Sequence, residues 1–91
     1  MFTSSNYIRL NHKQLNDILV QLGYSATKVN GSHIVYQHEK PDSKILVKQA
    51  RANEVVHPAV IASVVTNVIY SNVADEKEIE NLTQQVLHQQ A

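Results

Sequence analysis

The residues of this chain best suited to chemistry gather around Asn30-Gly31-Ser32-His33. Histidine titrates near neutrality, so a His held on a rigid strand beside a turn can take or give a proton at physiological pH. Lys28 before the turn, Lys48 in a later strand and Arg51 beyond it can hold phosphate charge, and Ser32 adds a hydroxyl next to His33. Together they suit metal-free attack on a phosphodiester. His33 is the candidate base, and Lys28 and Lys48 are the candidate charge stabilisers. The competing reading of His33 is a strand histidine bonded across the sheet, and the competing reading of the lysines is a solvated sheet face.

The remaining histidines are read as structural or solvated. His12 lies in a first helical turn, His38 on a core-facing strand end, His57 before Pro58, and His88 near the C-terminus. No His, Asp or Glu spacing suggests a metal site, and no cofactor is expected.

These residues need elements to position them. Asn11 offers an N-cap with Gln14 as its capping-box partner, and Leu15, Ile18, Leu19 and Leu22 form one helical stripe ending at Gly23. Strands are expected over Tyr24–Val29, Ser32–Glu39 and Lys44–Gln49. Asn30-Gly31, a strong type I′ hairpin signal, joins the first two, and a turn over Lys40–Ser43 joins the last two. Pro58 opens a second helix carrying Val60, Ile61, Val64, Val65, Val68 and Ile69. Asp75 caps a third, with Glu78 at its third position and Ile79, Leu82, Val86 and Leu87 on its apolar face. Fraying is expected from Gln84 to Ala91.

The expected fold is α+β, a single domain over 1–91 in the order α-β-β-β-α-α, with a three-stranded antiparallel sheet and helices on one face. A register follows if Asn30 and Gly31 alone form the first turn. Val29 then faces Ser32, Lys28 faces His33, Glu39 faces Lys44 and Val35 faces Lys48. Ile34, Tyr36, Ile45, Val47, Thr27 and Val29 would face the helices. Lys28, His33, Val35, Gln37, Leu46 and Lys48 would share the other face. Tyr36 is expected in the core rather than stacked on a base.

Composition sets outer bounds. The chain has 91 residues, 43% of them hydrophobic, no cysteine, and eight basic against eight acidic residues for a formal charge of +0. No disulfide or zinc-thiolate site is possible, and any nucleic-acid contact must come from a local patch. A chain of this size makes one small core. The N-terminus lacks the pattern of a signal peptide and no stretch reads as a membrane span, so a soluble cytoplasmic protein is expected.

Leu19-Val20-Gln21-Leu22-Gly23-Tyr24, then Gly31-Ser32-His33 and Tyr36, set in this element order, resemble the HicA or YcfA-like family over about residues 10–71, with an extra helix at about 75–89. That resemblance implies a fold like the double-stranded-RNA-binding domain. It also implies toxin activity as an mRNA-cleaving endoribonuclease, with the functional histidine at His33, and neutralisation by a HicB-like antitoxin. The family's frequent second histidine is Ile34 here, and the helix from Pro58 lacks the family's basic residues. A module that keeps the fold but binds RNA or protein without cleavage is the alternative. The last helix is expected to pack within the chain, with a homodimer through it as the second choice.

Overall fold

The computed structural model describes residues 10–29 and 31–89. Its elements are α1 (His12–Gln21), β1 (Ser25–Val29), β2 (His33–His38), β3 (Ser43–Lys48), α2 (Pro58–Tyr70) and α3 (Glu76–Gln89). The strands form an antiparallel sheet in the order β1-β2-β3, with the helices layered on one face. The α+β order α-β-β-β-α-α is the one read from the sequence.

Local chemistry fixes the ends of α1. Asn11 Oδ1 accepts the Gln14 N–H at 2.8 Å and Gln14 Oε1 accepts the Asn11 N–H at 2.9 Å, a complete capping box. Two further free donors of the first turn, His12 N–H and Lys13 N–H, go to the carbonyls of Glu54 and Ala52 in the connection after β3. At the other end Tyr24 N–H reaches Leu19 O and Gly23 N–H reaches Val20 O, a Schellman closure with Gly23 at φ 103°. Tyr24 therefore ends the helix and is buried, and β1 begins one residue later than expected.

In α2, Pro58 occupies the first turn and His57 is the N-cap, its Nδ1 accepting the Ala59 N–H at 3.0 Å. In α3, Asp75 and Glu78 make the expected reciprocal cap. Of the segment Gln84–Ala91 expected to fray, α3 includes the residues to Gln89, and Gln90 and Ala91 lie outside the described residues. Val86 is wholly buried, and Thr83, also wholly buried, bonds its hydroxyl to Ile79 O.

The core joins Leu15, Ile18 and Leu19 of α1 to Ile61, Val64, Val65 and Val68 of α2, with Tyr36, Ile45 and Val47 beneath and Ile79 and Val86 of α3 alongside. Burying each such side chain contributes about 1.5–3 kcal/mol. α3 packs against α1. Of its apolar face, Ile79 and Val86 are buried and Leu82 and Leu87 partly buried against the core.

A polar chain pins the hairpin end of the sheet to α2. The Ser43 hydroxyl donates to Asn67 Oδ1 at 2.9 Å, so the Tyr24 hydroxyl must donate to Ser43 Oγ at 2.7 Å, and Asn67 Nδ2 donates to Lys44 O at 3.4 Å. Ser43, expected in the turn, is the buried first residue of β3.

The register departs from expectation in both hairpins. Val29 pairs with His33 and Lys28 with Ile34, because the ladder begins at His33 and leaves Ser32 in a three-residue connection. The type I′ expectation rests on Asn30, which lies outside the described residues. The one-residue shift exchanges the faces of β1: Lys28 turns to the helix side, and Thr27 and Val29 turn away from it. In the second hairpin His38 pairs with Ser43 and Val35 with Leu46, a shift of two that preserves the faces and sets His33 directly opposite Lys48.

Candidate functional site

The face of the sheet away from the helices is a grid of three rows. Ser25, Gln37 and Lys44 make one; Thr27, Val35 and Leu46 the next; Val29, His33 and Lys48 the third. None of these residues is acidic. Lys44 faces neutral Gln37 rather than Glu39. Leu46 is 62% exposed and Val29 38%, which leaves apolar surface between the cations.

His33 is half-buried at the start of β2, with Val29 and Lys48 on either side. Directly opposed residues of an antiparallel pair have Cα atoms about 4.5–5.5 Å apart, so the Lys48 ammonium can reach a group bound at the imidazole. His33 Nδ1 lies 3.1 Å from Ser32 Oγ. When Nδ1 carries the proton and donates it to Ser32, the Nε2 lone pair is free to act as a base. Ser32 is itself fixed, its carbonyl accepting the Gln49 N–H at 2.9 Å and tying the turn to the end of β3.

Two predicted site residues lie elsewhere. Lys28 is on the helix side, exposed above a groove of about 250 Å³ shared with Asn16, Tyr36 and Gln49. Arg51 is exposed in the connection that caps the start of α1 and is not part of the open face. The structure thus brings together His33, Ser32 and Lys48, sets Lys28 on the opposite face and leaves Arg51 outside the paired strands. Lys44 and Leu46 are the members that sequence reasoning undervalued. Their signal was the alternation in Ser43-Lys44-Ile45-Leu46-Val47-Lys48, which alternates between buried and exposed at every residue.

A groove of about 470 Å³ runs between the end of β3 and the start of α2, past His12, Glu54, Val55 and His57. It touches Lys48 but holds no arrangement as suited to phosphate chemistry as the open face. His38 is structural: its ring lies edge-on to Tyr24 at 5.3 Å, with Nδ1 donating to Pro41 O at 2.9 Å. On the helix side, burial and the nearby Asp17 carboxylate push the Tyr36 phenol above its ordinary 10.0, while its hydroxyl donates to Asn16 Oδ1 at 2.9 Å.

Among the described residues no helix is long and apolar enough to cross a membrane. Compared with protein-family models, curated proteins and solved structures, the chain matches none of them.

Proposed function

We propose that the open sheet face binds RNA and that His33 cleaves it, making this chain a cytoplasmic HicA-like toxin held in check by a HicB-like antitoxin. The observation that carries the reading is the pairing of His33 with Lys48 on a face that has a second lysine and no carboxylate. Lys44 and Lys48 lie on one side of a single strand, four residues apart, so they span about 13 Å along it. A flexible polyanion can engage both. The chain's formal charge of +0 does not oppose this, because none of the nine ladder residues of this face is acidic.

In the proposed reaction His33 Nε2 removes the 2′-hydroxyl proton, O2′ bonds to phosphorus, and the bond from phosphorus to O5′ breaks. Lys48 stabilises the charge on the non-bridging oxygens. The proton held by His33 passes to the leaving O5′, giving a 2′,3′-cyclic phosphate and a 5′-hydroxyl. One imidazole serves as base and then acid. General acid–base help of this kind contributes about 10²–10⁴-fold in rate.

A second reading is favoured by one observation: among the described residues the ladder of this face carries no second imidazole and no carboxyl group to protonate the leaving group. In that case the same face binds RNA or a protein partner and cleaves nothing. End-labelled RNA incubated with wild type, His33→Ala and Lys48→Ala separates the two readings. Cleavage to cyclic-phosphate ends by wild type and not by His33→Ala supports the nuclease. RNA retained intact by both proteins supports the binding module, and equal cleavage by both removes His33 from the mechanism.

A further inference from the structure

β1 overhangs the helical layer. Every residue from Ser25 to Val29 is exposed, and among the described residues the strand is paired along one edge only, to β2. Such an edge is a template for another strand, and proteins commonly block it with proline, a bulge, a short strand or charged side chains, lysine above all. β1 has no proline and no bulge, and one lysine. Its ladder is unbroken from Ser25 opposite Gln37 to Val29 opposite His33, and its single charge is Lys28. The sheet's other edge strand, β3, differs: α2 packs against it and Asn67 bonds its Lys44 carbonyl.

We propose that a second copy of this chain pairs with β1, antiparallel, about a two-fold axis at Thr27, joining two sheets into one of six strands. The sequence of the strand is self-complementary in that register. Thr27 meets Thr27 of the second copy, Ser25 meets Val29, and Ala26 meets Lys28. It is the two-fold register that pairs the whole strand, and it sets no like charges opposite each other, whereas centring on Lys28 would oppose two ammonium groups. Threonine pairs across strands are favourable, and the formal charge of +0 leaves no net repulsion between copies.

The axis stands perpendicular to the sheet, so the helices of both copies lie on one side. The row Leu46, Val35, Thr27 continues into the same row of the second copy, and both His33–Lys48 pairs come to one surface. This association does not depend on RNA being the ligand. A five-residue edge is short of a standard stable interface, so the dimer forms in the weak, concentration-dependent range.

Sedimentation of the full chain from micromolar to millimolar concentration tests the proposal, with folding checked by circular dichroism. Wild type shows a reversible monomer–dimer equilibrium. T27K and T27E, each placing like charges on the axis at an exposed side chain, dimerise about five-fold more weakly or worse. An equimolar mixture of T27K and T27E recovers dimer as a mixed pair, which a general loss of strand structure would not allow. A wild type that stays monomeric throughout overturns the proposal. So do variants that dimerise as well as wild type, or a mixture no better than its components.

Discussion

The two faces of the sheet are built from the same strands and differ in what covers them. On the helix side Tyr36, Ile45 and Val47 are buried under α1 and α2, and their polar atoms are paired. On the open side Leu46, Lys44 and Lys48 alternate with these residues along β3 and remain exposed. Neighbouring residues of one strand therefore answer to different demands. The covered face holds the fold together, and the open face is free to meet a ligand.

The sharpest contrast comes from changes that affect one face alone. On the proposed reading His33→Ala lowers the rate of RNA cleavage by about 10²–10⁴-fold, measured on labelled RNA, with the melting temperature essentially unchanged. A large loss of stability in that variant would instead assign His33 to the fold. Across the strand, Ile45→Ala costs about 2–5 kcal/mol in urea unfolding, while Leu46→Ala stays within about 0.5 kcal/mol. Equal costs for these adjacent residues would erase the distinction between the faces.

Gly23→Ala comes next. The residue sits at φ 103° and an added Cβ would lie 2.9 Å from His38 Nε2, so about 1–2 kcal/mol of destabilisation is expected from the same unfolding measurement. Tyr36→Phe removes the bond to Asn16 and costs about 1 kcal/mol. Because the folded Tyr36 phenol is held above 10.0, the unfolded chain loses that proton first as pH rises. This contribution to stability is complete below pH 10.0 and declines as pH rises through the folded value. Tyr36→Phe should flatten that alkaline decline in chemical unfolding.

The smallest expected effect separates the lysines. Lys44→Ala and Lys48→Ala each reduce the salt dependence of single-stranded RNA binding by about 0.7 in log–log slope, and Lys28→Ala leaves it unchanged. A Lys28→Ala effect as large as that of Lys48→Ala would place the RNA path over the helix side instead.

Local signals were largely legible. The capping boxes at Asn11 and Asp75, the stop at Gly23 and the start at Pro58 each depend on residues a few positions apart, so sequence spacing reports them directly. Pairing across the first hairpin was not legible to one residue. Whether Ser32 joins the turn or the strand depends on which residue of β2 stands opposite Val29, and that choice decides which face Lys28 occupies. The candidate site changed with it. Lys28, expected opposite His33, pairs with Ile34, while Lys48, expected on the diagonal, stands directly opposite His33.

By itself the sequence determined the elements, their order and most of the core, because apolar periodicity and capping chemistry act within single segments. Tertiary structure alone decided the register, the placement of Lys28 on the face opposite His33, the helical end of α3 at Gln89 and the exposure of β1. A strand's side chains alternate with a period of two, so one residue more in a turn moves a whole strand's residues from one face to the other. The length of that turn is set by how β1 and β2 pair and pack, beyond the reach of spacing along the chain.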